Sequence, residues 1–389
     1  MSHRGRRGLH LAAAALLLSG CARPGNAPQV GQVAPAARPD TTAPRTDVDT
    51  TPVRGARFYR SRGWGTERQF NPLSLVVNGG LDQLRTEHAD TRVFQLQYGR
   101  SFRNVFRSVT NPERVIRRYG WNRFIRNELL PFTGRGSGGG QWVPNYQLHF
   151  LGGGMTGVRI TEWFTQRGVA HPELAAFGTV YAWHFLTEAI EHGPAEVESA
   201  DAVADLLIFD LAAFLVWRTD RVQRLVIEHV EMTNWPGQPT LQFPDRTAEN
   251  VQMTAMLRVR LPRTTNWRAM TTFGSAFLLG VSRAQREGYW ISLAAGLDPR
   301  DNPIVDPETG QRTVVLAPSA GIFWDRDGSL LASLLVRAGR TEAATLNVHP
   351  GVVRIAGYSP GLWAQWLRSR QLRVGLATEL GLGVGVGPR

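Results

Sequence analysis

Residues 313–339 read TVVLAPSAGIFWDRDGSLLASLLVRAG, two apolar runs joined by Asp325-Arg326-Asp327-Gly328. An Asp-Gly pair between such runs predicts a β-hairpin, because a tight turn needs residues that accept positive φ. Outward from this hairpin, apolar residues alternate with small or polar ones, as they do along strands. The same alternation recurs at 253–261, 270–282, 289–297 and 374–386.

Repeated short strands separated by turn residues are typical of a membrane barrel. For residues 221–389 we predict an antiparallel β-barrel of roughly 8–12 strands. A soluble barrel or sandwich gives much the same alternation. The chain ends Gly387-Pro388-Arg389, whereas outer-membrane barrels commonly finish on an aromatic residue.

The middle of the chain, 56–220, is predicted to be a mixed region with a basic amphipathic segment and a helical hairpin, and residues 155–220 are predicted to be helical. Pro172 and Gly193 bound one helix and Ser199 caps the next, which runs to Trp217. Their apolar stretches are too short to span a bilayer, which favours a buried helical hairpin. The stretch TRVFQLQYG (91–99) alternates as a strand does. The predicted fold class is α+β, a helical middle followed by the barrel.

A basic amphipathic segment covers 100–135, where nine arginines stand against two glutamates. Apolar residues are interleaved with them, as in helices that lie in a lipid interface. The alternative is a solvated face on an ordinary helix. Candidate lipid or phosphate ligands are Arg103, Arg107, Arg114, Arg117, Arg118, Arg123 and Arg126.

The first twenty residues combine three arginines with an apolar run from Leu9 to Leu18, the layout of a secretory signal peptide. Cys21 follows, and the stretch Leu18-Ser19-Gly20-Cys21 resembles the lipobox of bacterial lipoproteins. The resemblance implies lipidation of Cys21 and, since Ala22 replaces the usual retention aspartate, an outer-membrane location. The alternative is an ordinary signal peptide with a coincidental cysteine.

Residues 21–55 are rich in proline and poor in large apolar side chains, which predicts a disordered tether behind the lipid. The formal net charge is +12, and Cys21 is the only cysteine. In an exported protein this charge favours anionic lipid over nucleic acid as partner. A single cysteine excludes an intramolecular disulfide.

The stretch LHFLGGGMTG (148–157) has the G-x-G-x-x-G spacing of a phosphate-binding loop. A dinucleotide site also needs a second parallel strand with an acidic end, and no such strand follows. We therefore expect these glycines to serve close packing. The region 141–210 resembles bacterial envelope proteins that pair helices with a C-terminal barrel; this resemblance implies no particular activity.

Polar residues of the helical region form a second candidate site. His184, Glu188 and Glu191 share one helix face, and Asp205 follows on the next helix. His149 and Arg159 flank the glycines. These residues could supply an acid and a base or bind a metal. They lack the paired Glu-x-x-His motif of di-iron bundles. The alternative is a structural network of ion pairs. We assign no metal or cofactor.

The sequence therefore predicts an outer-membrane lipoprotein with a structural or anionic-lipid-binding role. One alternative is an envelope hydrolase or transferase acting on lipid or glycan through the His/Glu/Asp residues. Another is an accessory subunit of an envelope complex. We expect the membrane, and no nucleic acid, as partner.

Overall fold

The computed structural model of the chain describes residues 58–84, 91–131, 142–192, 198–286, 288–301, 304–305 and 312–388. These residues belong to one compact unit, Thr50–Arg389. The predicted signal peptide, the lipobox with Cys21 and the tether lie outside the described residues and stay predictions.

Helices precede the sheet, so the predicted α+β class with a helical middle is confirmed. The α-helices are α1 (Gly65–Arg68), α2 (Pro72–Leu81), α3 (Tyr98–Thr110), α4 (Pro112–Tyr119), α5 (Trp121–Phe124), α6 (Gly154–Gln166), α7 (Pro172–His192), α8 (Ala200–Ala204), α9 (Asp210–Trp217) and α10 (Asp220–His229). Wider π-helical segments are Ile125–Leu129, Trp142–Gly153 and Asp205–Phe209, and a 3-10 turn covers Val93–Gln95. Among the described residues, no helix is long and apolar enough to cross a membrane.

The strands are β1 (Val230–Asn234), β2 (Thr240–Phe243), β3 (Thr247–Glu249), β4 (Thr254–Arg260), β5 (Trp267–Gly274), β6 (Phe277–Arg286), β7 (Tyr289–Pro299), β8 (Ile304–Val305), β9 (Arg312–Thr313), β10 (Leu316–Arg326), β11 (Ser329–Arg337), β12 (Glu342–Val348), β13 (Gly361–Leu367), β14 (Leu372–Ala377) and β15 (Gly383–Val386). Thirteen form one sheet in the order β1-β4-β5-β6-β7-β10-β11-β12-β13-β14-β15-β2-β3. The pair β8-β9 stands apart.

The barrel prediction was wrong in three respects. Over the part of the chain that the structure describes, the sheet has 13 strands rather than 8–12 and is not closed. In addition, β15 pairs with β2 in parallel, so the sheet is mixed. The physical reason is that β2 and β3 fold back beyond the last strand, where they occupy the edge that closure would need.

The sheet is nevertheless strongly curved. The strands β1 and β2 are separated by eleven strand-to-strand steps, about 50 Å in a flat sheet. Residues 235–239 join these strands directly, and so short a link reaches only about 20 Å. Trp235 on this link packs against Phe323 of β10, ring centroids 5.1 Å apart, inside the curve.

The Asp-Gly turn forms as the sequence predicts, whereas two segments predicted from alternation differ. Asp327 and Gly328 both have positive φ, 53° and 85°, and β10 pairs with β11 as the predicted hairpin. The run 374–386 is a hairpin rather than one strand, since Gly381 turns with φ 76°. The strand predicted at 91–99 was wrong: Val93 and Leu96, three residues apart, pack on one side against Leu84 in a 3-10 turn.

The outer face of the sheet carries three successive apolar rows, each made of directly paired residues. The central outer row is Val230, Val259, Ala269, Val281, Leu293, Ile322, Leu334, Leu346, Ala364, Val374, Val386 and Phe243. One flanking row is Leu279, Ala295, Ala320, Val336, Ala344, Trp366 and Leu372. The other is Ile291, Trp324, Ala332, Val348, Leu362, Leu376, Val384 and Leu241.

The inner face buries polar and charged side chains beside an apolar core around Trp235. Arg258 donates to Asp325 at 2.8 and 2.9 Å, and both side chains are fully buried. Further buried pairs join Arg337 and Arg340 to Asp298. The inner face thus buries charged pairs together with an apolar core, whereas the rows on the outer face are apolar.

Arg159 of α6 connects the helices to the sheet. Its buried guanidinium pairs with Glu67 of α1, donates to Asn234 of β1 and lies over the Phe70 ring, 4.3 Å from its centroid. Burial raises the pKa of Glu67, and the Arg159 charge opposes this shift. The contact makes Arg159 a structural tie between α1, α6 and β1.

The buried side chain of His349 makes the unfolding free energy depend on pH. Its ring is fully buried, with Nδ1 3.0 Å from Oε1 of Gln69, and burial lowers its pKa to about 3. An unfolded histidine has a pKa of about 6.5, so the folded state binds the proton more weakly. The contribution of His349 to the unfolding free energy is therefore fully present above about pH 6.5 and is lost as the pH falls towards 3. At pH 5 the loss is about 2 kcal/mol.

We therefore expect His349→Asn to flatten the pH dependence of the unfolding free energy between pH 7.5 and 5 by about 2 kcal/mol. Urea unfolding at both pH values measures it. The exposed His171→Asn serves as control and should keep the wild-type slope. An unchanged slope in His349→Asn would contradict the assignment.

Candidate functional site

Five buried side chains converge in the helical region and are here called the histidine–carboxylate cluster. They are His149, His184, Glu188, Asp205 and Asp210, each at most 5 % exposed. His149 lies on the π-helical segment Trp142–Gly153, and the predicted pair His184 and Glu188 lies on one face of α7. The two aspartates begin the segment Asp205–Phe209 and helix α9.

A π turn brings the two aspartates together. Residues five apart are about 140° apart around a regular α-helix, because each residue turns about 100°. Between Asp205 and Asp210 the backbone instead makes an i→i+5 bond, from the Asp210 N–H to the Asp205 carbonyl. This wider turn lets both carboxyl groups face His149.

His149 lies between two carboxyl groups. Its Nδ1 is 3.0 Å from Oδ1 of Asp210, and its Nε2 is 3.2 Å from Oδ2 of Asp205. The same Asp210 oxygen is 2.7 Å from Nδ1 of His184. The two imidazole rings are tilted against each other with centroids 4.2 Å apart. Glu188 hydrogen-bonds with Asp205 on the far side.

The carboxyl groups of the cluster differ in charge. Burial, with Asp201 and other nearby acids, raises the pKa values of Glu188 and Asp205 well above their usual range. For Asp210, burial is outweighed by His184 and His149, and its pKa falls to about 2. Burial lowers the pKa of His149. These pKa shifts favour the ionised form of Asp210, the neutral form of His149 and the protonated forms of Glu188 and Asp205.

The cluster separates two cavities. A cleft of about 260 Å³ is lined by His149 and Asp210 and by apolar residues that include Val180 and Trp217. A smaller cavity of about 70 Å³ lies on the other side and is lined by His149, His184 and Asp205. His149 is common to both walls, so a group bound in the cleft would contact the inner residues of the cluster through it.

The glycines at 152–154 allow this packing, as predicted, although the chain is helical on both sides of them. A Cβ on Gly153 would stand 2.7 Å from Cε1 of His184. A Cβ on Gly154 would stand 2.2 Å from Cδ1 of Trp217. The motif thus marks a close approach of helices, and residues Trp142–Gly153 form a π-helical segment.

The structure brings together four of the predicted residues, His149, His184, Glu188 and Asp205. Glu191 lies beside Glu188 and Asp201 at the edge of the cluster. Arg159 instead contacts Glu67 and Asn234, as described above. The seven arginines predicted to bind lipid are all exposed, on α3, α4, α5 and the π segment after it.

Asp210 was missed as a site residue. A period of 3.6 residues places Asp210 about 140° around the helix from Asp205, so the sequence pattern does not put the two carboxyl groups on one face. The available signal was the stretch DLLIFD (205–210), two aspartates five apart in an apolar run.

Two kinds of chemistry are open to this arrangement. The series Glu188, Asp205, His149 and Asp210 could pass a proton between the cavities, since each member contacts the next. Imidazole nitrogens and a carboxylate are also the donor types that bind divalent transition metals.

Gly153→Ala tests the close approach. The new methyl group would overlap the His184 ring, so we expect the unfolding free energy to fall by about 1–3 kcal/mol. Thermal or denaturant unfolding monitored by far-UV circular dichroism measures the loss.

Gly157→Ala is the matched control on the same motif. Its Cβ would meet only Val180, at 4.0 Å, and alanine stabilises a helix by about 0.5–1 kcal/mol over glycine. Equal stability of the two variants would contradict the packing role of Gly153.

Comparison of the chain with protein-family models, with curated proteins and with solved structures found no match. The function is therefore inferred from the cluster and from the two faces of the sheet.

Proposed function

We propose that this protein is a bacterial outer-membrane lipoprotein that binds anionic lipid through its sheet and its basic helices. The observation that carries the proposal is the apolar composition of the three outer rows. In a protein surrounded by water, such a continuous apolar surface would be costly, and patches of this kind mark membrane or protein contacts.

The exposure of single residues supports contact with hydrocarbon. Leu279, Leu293 and Ile322 are 73, 54 and 48 % exposed on neighbouring strands. The longest strands, β6, β7, β10 and β11, have 9 to 11 residues. This is the length with which a tilted strand crosses the hydrocarbon layer.

The inner face supports the same orientation. The buried pairs of Arg258 with Asp325 and of Arg373 with Glu249 satisfy charges that could not face lipid. Charged groups inside and apolar groups outside are the arrangement of membrane β-proteins.

The basic segment adds a head-group contact. Its exposed arginines stand beside the exposed aromatic residues Phe102, Phe106 and Trp121, which are 37, 59 and 52 % exposed. Arginine can hold phosphate through two parallel hydrogen bonds, and aromatic rings favour the bilayer interface. Arg114 and Arg117 already pair with Glu198 and Glu113, which leaves Arg103, Arg107, Arg118, Arg123 and Arg126 as the better candidates.

The double variant Leu293→Arg, Ile322→Arg tests the sheet. These residues are paired across β7 and β10, and an arginine at mid-membrane costs about 2–4 kcal/mol. We expect flotation with phosphatidylcholine vesicles to fall at least a hundredfold while circular dichroism in detergent stays unchanged. Neutral lipid is used so that the new charges gain nothing from anionic head groups.

The control places the same charges on exposed helical leucines, Leu174→Arg with Leu225→Arg, which are 67 and 63 % exposed. This variant should float like the wild type. Equal losses in both variants would show that the sheet face is not the contact surface.

Arg103→Gln, Arg107→Gln and Arg118→Gln together test the basic segment. Each arginine near an anionic surface contributes about 1 kcal/mol, so we expect most of the extra affinity for vesicles containing phosphatidylglycerol to disappear. Binding is measured by vesicle sedimentation at low and high salt.

The charge-matched control is Arg167→Gln, directly after α6, together with Arg221→Gln and Arg224→Gln on α10. It should retain the preference for anionic lipid. An equal loss in both triple variants would assign binding to the net charge of the chain instead of to this segment.

A further inference from the structure

We propose that His149, His184 and Asp210 bind one divalent transition-metal ion, such as Zn²⁺ or Fe²⁺. The site stands independently of the membrane proposal, because all three ligands lie in the helical region.

The ligand atoms are already arranged around a common point. One atom from each of the three side chains lies within 4.8 Å of the others, and all three side chains are buried. The two histidine Nδ1 atoms are 3.0 and 2.7 Å from the same Asp210 oxygen. Around Zn²⁺, with bonds of about 2.0–2.1 Å, tetrahedral ligands are separated by about 3.3 Å. The observed separations need to widen by only a few tenths of an ångström.

An unpartnered oxygen points to a missing ligand. Oδ2 of Asp210 is buried and has no hydrogen-bond partner among the described residues, although Asp210 lies against the cleft. A buried carboxylate oxygen without a partner is costly. A cation held by both oxygens of Asp210 would satisfy it and balance the Asp210 charge.

Asp205 provides the orienting contact that metal-binding histidines usually have. Histidine ligands commonly donate the second ring N–H to a carboxylate, which fixes the ring. With the metal on Nδ1 of His149, the proton on Nε2 would be directed at Asp205, 3.2 Å away. Glu188, which bonds with Asp205, would complete this outer layer.

Three protein ligands leave one coordination position open. His149 and Asp210 line the cleft of about 260 Å³, so a fourth ligand would enter from there. Two histidines, one carboxylate and an open position are typical of catalytic metal sites, whereas structural zinc sites use four protein ligands. The small-molecule class that fits is therefore an oxygen-donor ligand with an apolar body for Val180 and Trp217.

The test uses the untagged full chain, treated with chelator and returned to metal-free buffer. After titration with Zn²⁺ and removal of free ion, elemental analysis should find one Zn²⁺ per chain. Co²⁺ should give the visible bands of a four- or five-coordinate nitrogen and oxygen site, without the thiolate band that Cys21 would produce.

Asp210→Asn should lower Zn²⁺ affinity by at least a hundredfold, and Asp205→Asn by about 10–100-fold because its contact is indirect. The exposed His171→Asn and His229→Asn are controls and should bind as the wild type does. Circular dichroism checks the fold of each variant. Absence of stoichiometric metal in the wild-type chain, or unchanged affinity in folded Asp210→Asn, would overturn the proposal.

Discussion

Charge inside a curved sheet must be paired, and this constraint shapes the molecule. Arg258 and Arg337 lie on the inner face, and Asp325 and Asp298 are buried with them as ion-pair partners. Because an unpaired buried charge costs several kcal/mol, each pair fixes the register of the strands that carry it. Arg159 and Glu67 extend the same principle to the contact between the helices and β1.

Departures from regular helix geometry build the cluster. The π turn after Asp205 aligns two acids that an α-helix would separate, and Gly153 lets the His184 ring approach another backbone. Both features weaken the local helix, since π turns are rare and glycine costs about 0.5–1 kcal/mol in a helix interior. Such local costs commonly coincide with functional sites. The histidine–carboxylate cluster is built on such locally unfavourable backbone geometry, whereas the Arg159 contact consists of ordinary packing and ion pairing.

Local chemistry could be predicted from the sequence, and long-range pairing could not. Asp327-Gly328, Pro172 and Ser199 marked their turn and helix ends because those residues act on their immediate neighbours. The parallel pairing of β15 with β2 joins residues that are far apart in the chain. Alternation does not show which strands pair, and for this reason it suggested a closed barrel. At 91–99 the spacing of Val93 and Leu96 outweighed the alternation. Asp210 was overlooked because a 3.6-residue period cannot anticipate a π turn.

The pairing of β15 with β2 has a consequence for how the chain folds. Val384 pairs with Leu241, which lies far back in the chain, so the loop that this pairing closes is among the longest in the sheet. Contacts of such high sequence separation form late and slow folding. Until then β2 exposes an unpaired edge that can join other chains. We expect this protein to require protection from aggregation between its synthesis and the docking of its last strand.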